Sequence, residues 1–171
     1  MTKPKTPCPG PGRGQPLADL GYGARERAVL TVARHYCVSF AAPERQGWIG
    51  AIAAALEGFG DDQGPHVAVA TLAVLQTLRQ ARRAGFRFNA PDCPACAAFV
   101  TGHERLLMSA LRALARDEPE AARAHAMLLC EGRAEQRVTD ALAILARQAI
   151  TPEPPVPPRA SAHAGLAEGR A

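Results

Sequence analysis

The 171-residue sequence is poor in aromatic residues, which make up 5% of it, although 47% of its residues are hydrophobic. Alanine and leucine supply much of that apolar content, and such segments favour closely packed helices over sheets. No apolar run approaches the ~20 residues that cross a bilayer. The N-terminal residues carry charge but no apolar core of a signal peptide. We therefore expect an all-α, cytoplasmic protein without membrane contact.

The sequence also lacks the common catalytic motifs. It has no glycine-rich phosphate loop, no Gly-x-Ser-x-Gly motif and no His-Glu-x-x-His motif. Its formal net charge of +4 is modest for a protein that coats nucleic acid. Its five cysteines are an odd number, which suits a reducing compartment better than a disulfide framework. These features favour a non-enzymatic protein and leave an enzyme as the alternative.

Hydrophobic periodicity predicts a single compact bundle of about six helices. Glycine and Pro65 in residues 58–65 predict a turn between the second and third helices. Trp48, the only tryptophan, is interpreted as a core anchor of the second helix. The predicted helices cover about residues 24–40, 43–59, 66–84, 101–116, 119–130 and 134–149. The domain organisation follows as a disordered arm (1–22), a helical domain (23–150) and a proline-rich disordered tail (151–171).

Side chains that could bind a metal or act as nucleophiles cluster in one stretch, residues 92–104, with the sequence DCPACAAFVTGHE. It contains Cys93, Cys96 and His103. Thr101 and Glu104 have the spacing of a capping box, which predicts a helix start there. His103 would lie in the first turn of that helix and lean back toward the cysteines, because helical side chains tilt toward the N-terminus.

The leading interpretation of this stretch is a structural zinc site. Thiolates and a neutral imidazole suit a tetrahedral zinc ion, and Cys-x-x-Cys lets two sulfurs reach one ion. If the helices on either side of the turn near residue 117 run antiparallel, Cys130 comes close to His103. The predicted ligands are therefore Cys93, Cys96, His103 and Cys130, with His125 or Cys37 as substitutes for the last.

Two other interpretations of the cysteine pair stay open. Cys-Pro-Ala-Cys resembles the active dithiol of disulfide-exchange proteins, in which one thiolate attacks and the other resolves. That resemblance implies a thiol-redox protein using Cys93 and Cys96, although the βαβ setting of thioredoxin-type motifs is not predicted here. In the other interpretation, both cysteines are structural.

The sequence thus predicts a small cytoplasmic regulatory or adaptor protein that binds a protein partner of unknown identity and holds a structural zinc ion. The alternative is the thiol-redox protein. A DNA-binding regulator is a third hypothesis. Arg79, Arg82 and Arg83 could contact phosphates, or they could simply complement the negative end of the third helix.

Overall fold

The computed structural model describes residues 14–150, and this part of the chain is an all-α bundle, as predicted. Two short strands, β1 (Gln15–Pro16) and β2 (Phe99–Val100), form an antiparallel pair in which Gln15 lies opposite Val100. Single 3-10 turns cover Leu17–Leu20 and Pro43–Arg45. The helices are α1 (Ala24–Ala41), α2 (Gly47–Ala81), α3 (Pro94–Ala97), α4 (Gly102–Ala115), α5 (Pro119–Leu129) and α6 (Gln136–Ala149).

The core forms where α2 packs against both α1 and α6 and where α4 packs against α5 and α6. Aliphatic side chains dominate it, and full burial of each stabilises the fold by about 1.5–3 kcal/mol. The largest of the fully buried apolar side chains include Leu30, Leu78, Leu107, Met108, Leu111, Leu129, Leu142 and Leu145.

The long helix α2 is interrupted at one residue, Gly60, whose φ of 76° and ψ of 176° are not helical. Glycine has no Cβ and adopts this conformation without steric cost. The predicted turn over residues 58–65 is therefore reduced to a single-residue break. Pro43 was predicted to open the second helix, and this is wrong: Pro43 begins a 3-10 turn, and α2 starts at Gly47.

The start of the fold differs from the predicted arm, because residues 14–22 pack on the bundle. The Leu17 N–H donates to the Ala98 carbonyl at 2.8 Å, and Tyr22 is buried. The Arg112 guanidinium lies 4.5 Å from the centre of the Tyr22 ring and forms an ion pair with Glu26. Residues 1–13 of the predicted arm and the predicted tail, 151–171, lie outside the described residues. Within residues 14–150, no helix combines the length and apolar character needed to cross a membrane.

Candidate functional site

The predicted capping box at the start of α4 is present. The Glu104 N–H donates to the Thr101 Oγ1 at 3.2 Å, and the Thr101 N–H donates to Glu104 Oε2 at 2.7 Å. Both bonds satisfy amides that the first helical turn would otherwise leave unpaired. His103 consequently lies in the first turn of α4, as the sequence predicted.

Glu104 also belongs to a buried network that joins the 82–101 segment to α1. Arg34 donates through Nε to Glu104 Oε1 at 2.7 Å and through Nη2 to Oε2 at 3.2 Å, and the two residues are 3% and 1% exposed. Arg34 donates further to the carbonyls of Ala97 and Phe99, and the Asn89 N–H donates to Glu104 Oε1 at 3.1 Å. This network fixes the segment that contains the cysteine pair.

The four predicted zinc ligands fall on three elements. Cys93 is half-buried at the N-cap of α3, Cys96 is buried within α3, and Cys130 is buried just after α5. Within residues 14–150, no three His, Cys, Asp or Glu side chains are placed to hold one metal ion together.

The ring of His103 is engaged by two arginines. The Arg87 N–H donates to its Nδ1 at 2.9 Å, and Arg82 Nη2 lies 3.4 Å from its Nε2. A neutral imidazole has one unprotonated nitrogen, so His103 can accept from the Arg87 main-chain N–H at Nδ1 or from Arg82 at Nε2, but not from both at once. Burial, and then the charges of Arg82 and Arg87, lower the pKa of His103 below its usual value. The imidazole is therefore neutral at physiological pH, and each of its ring nitrogens faces an arginine N–H donor.

Arg82 lies between the start of α4 and the end of α5. Besides His103 it contacts the Leu129 carbonyl, and its Nη2 is 3.7 Å from Glu131 Oε1. Through Arg82, the end of α5 lies near His103, as expected if α4 and α5 run antiparallel. However, a guanidinium occupies that place, and a zinc ion there would lie next to a fixed positive charge.

Burial also raises the pKa of the Cys130 thiol, which opposes formation of the thiolate that zinc binds. The zinc hypothesis therefore gains no support from the arrangement and stays a prediction. The redox hypothesis also stays a prediction. Thiol exchange requires access to the attacked sulfur, and Cys96 is 4% exposed.

A feature that the sequence analysis missed is the inward face of the first half of α2, which is lined by small residues. Gly47, Ala51 and Ala55 follow one another at intervals of four and are all buried. A Cβ on Gly47 would lie 2.3 Å from the His35 carbonyl oxygen, and one on Gly50 would lie 2.5 Å from the His35 ring. The backbones of α1 and α2 therefore approach too closely for larger side chains between them.

Three large apolar side chains of the same half-helix point to solvent. Trp48 is 48% exposed, Ile49 50% and Ile52 39%. The interpretation of Trp48 as a core anchor is therefore wrong. We call Trp48, Ile49 and Ile52 the outer face of α2. The repeat of Gly47, Ala51 and Ala55 was the available signal for which side of the helix turns inward.

Comparisons of the chain with protein-family models, curated proteins and solved structures find no match. The structure defines an all-α bundle with two notable features, the outer face of α2 and the arginine-rich end of the same helix. The function is therefore inferred from these residues.

Proposed function

We propose that this chain is a cytoplasmic adaptor or regulatory protein that binds a protein partner through the outer face of α2. The observation that carries the proposal is the inverted distribution of side-chain size on this half-helix. Its small residues are buried against α1, while its only tryptophan and two isoleucines are exposed. Contiguous apolar patches of this kind are typical of interaction sites, whereas single exposed apolar residues are ordinary.

The spacing of the outer face suits a partner that presents a helix. Trp48 and Ile52 lie one turn apart on the same side of α2, and Ile49 lies beside them. Amphipathic helices insert side chains at such intervals into an apolar groove or stripe. Tryptophan is also enriched among the residues that dominate binding energy.

The test uses the full-length protein with the photo-crosslinking residue p-benzoylphenylalanine in place of Trp48, expressed in its own cells. We expect one discrete covalent adduct after illumination. The matched control places the same residue at Leu128, which is 56% exposed on α5 and should give no such adduct. Addition of Ile52→Ser should abolish the adduct at position 48, and the identified partner should bind the purified protein at least tenfold more weakly when Ile52→Ser is present.

A folding control separates an interface from a structural role. We expect Ile52→Ser to change the free energy of unfolding by less than about 1 kcal/mol, because this side chain is already 39% exposed. Leu142→Ala, at a fully buried position, should cost about 2–5 kcal/mol. An adduct of twice the chain's mass would identify the partner as a second copy. Equal labelling at positions 48 and 128, or no adduct at 48, would refute the proposal.

A further inference from the structure

A cavity of about 200 Å³ lies at the C-terminal end of α2, on the opposite half of that helix from the outer face. Cys37, Leu75 and Leu78 contribute apolar lining. Arg79, Arg82 and Arg83 also line it and bring positive charge. A concave apolar site with a few polar groups is the usual form of a small-molecule site.

The apolar lining carries no charge at physiological pH. Leu75 and Leu78 are 2% and 1% exposed, and Cys37 is 5% exposed. Burial raises the pKa of Cys37 to about 12, so this side chain remains a neutral thiol. These residues would therefore accept a hydrocarbon body and reject a charged one, because a charge without a partner is costly to bury.

The three arginines differ in how many of their N–H donors already bond other residues of the protein. Arg82 is committed, since it bonds the Leu129 and Ala84 carbonyls and lies 3.7 Å from a Glu131 oxygen. Arg79 donates one hydrogen bond to Gln76 and stacks on the Phe40 ring with 4.3 Å to its centre, which leaves other N–H donors available.

Of the three arginines, Arg83 has the most N–H donors available to a ligand. Its side chain forms no hydrogen bond or ion pair with another residue in the described range 14–150. Only its main-chain N–H is engaged, at 3.1 Å from Glu131 Oε2. Glu131 is thus the one carboxylate in contact with this group of three cations within residues 14–150. The cavity therefore combines an uncharged apolar lining with an excess of positive charge.

We propose that this cavity binds a small amphipathic carboxylate, with its hydrocarbon body against Cys37, Leu75 and Leu78 and its carboxylate on Arg83 and Arg79. Guanidinium groups pair with carboxylates through two parallel hydrogen bonds, which makes them suited to this role. The cavity is smaller than the sites that hold drug-sized ligands, which favours a short-chain acid. Octanoate, a straight-chain acid of eight carbons, serves as the probe. The cavity shares no residue with the outer face of α2.

The experiment titrates the purified full-length protein with octanoate and follows it by calorimetry and by amide NMR shifts. We expect saturable 1:1 binding with a Kd below about 1 mM, and shift changes centred on residues 75–86. Octan-1-ol, which lacks the charge, and acetate, which lacks the chain, should each bind at least tenfold more weakly.

Two variants test the carboxylate and the apolar lining separately. Arg83→Glu should weaken octanoate binding at least tenfold without affecting the core, since its side chain is exposed. Cys37→Leu should fill the cavity and abolish binding. Arg123→Glu, at an exposed position on α5, is the matched control and should leave the Kd unchanged. No saturable binding, equal binding of octan-1-ol, or retained affinity in Arg83→Glu would overturn the proposal. Shifts centred on Trp48 would also overturn it, because they would place the ligand on the outer face of α2.

Discussion

The buried pair of Arg34 and Glu104 should be among the most sensitive points of the fold. We consider the variants Arg34→Met and Glu104→Gln, singly and combined. Arg34→Met leaves the Glu104 carboxylate buried with two main-chain N–H donors but no cation. Removal of one member of a buried ion pair typically costs about 3–5 kcal/mol, because the remaining charge is neither paired nor hydrated.

The combined variant should be no less stable than either single variant, since it removes both charges. It should not regain full stability, however, because the Ala97 carbonyl loses the hydrogen bond that it accepts from Arg34 at 3.0 Å. We therefore expect a coupling energy of about 3 kcal/mol or more between the two positions. A loss of 3–5 kcal/mol would lower the Tm of a domain of this size by about 10 °C or more.

Urea unfolding followed by circular dichroism at 222 nm measures these energies. Hydrogen exchange at the amides of Asn89 and Thr101, both of which donate to Glu104, reports on the segment itself. The exposed pair of Arg123 and Glu120 provides a control of the same chemistry, and Arg123→Met should change stability by less than about 0.5 kcal/mol. If Arg34→Met also cost less than about 1 kcal/mol, the pair would have to be hydrated, and the assignment of a buried anchor would be refuted.

Three further predictions concern packing, pH and thiol reactivity. Gly47→Ala should destabilise the fold by about 2 kcal/mol or more in urea unfolding because its methyl group meets the α1 backbone, whereas Gly102→Ala meets no atom within 4 Å and should be neutral or stabilising. The hydrogen bond from Arg112 lowers the pKa of Glu26, so the stability from this pair is present at neutral pH and is lost as pH falls through that lowered pKa. In Arg112→Gln, an NMR titration should show the pKa of Glu26 returning toward its ordinary value. Cys37, with a pKa of about 12, should react with iodoacetamide at pH 8 roughly a thousandfold more slowly than an ordinary thiol, as mass spectrometry of the labelled peptide would show.

Short-range features of this fold could be predicted from the sequence, because their partners are close along the chain. The capping box joins Thr101 and Glu104, three residues apart, and both hydrogen bonds are present. The second role of Glu104 could not be predicted, since Arg34 lies 70 residues away and an arginine in an amphipathic helix usually faces solvent. Nor does periodicity alone show that Arg82 lies beside His103.

The buried face of α2 could not be predicted from the sequence for a different reason. Its first half carries two apolar stripes, one of small residues and one that includes Trp48, and both have helical spacing. Size alone favoured the tryptophan stripe for the core. The close approach of α1 instead places the stripe of small residues in the core. This packing depends on contacts between two helices, which the sequence pattern of one helix does not show.

The two-sided character of α2 has a consequence for its tolerance of random mutation. In a library selected only for folding, position 47 should accept almost only glycine, and positions 51 and 55 almost nothing larger than alanine. Positions 48, 49 and 52 should accept most polar residues. Selection of the same library for cellular function should restrict the second group as well. The difference between the two selections, taken position by position, would outline the footprint of the proposed partner before that partner is identified.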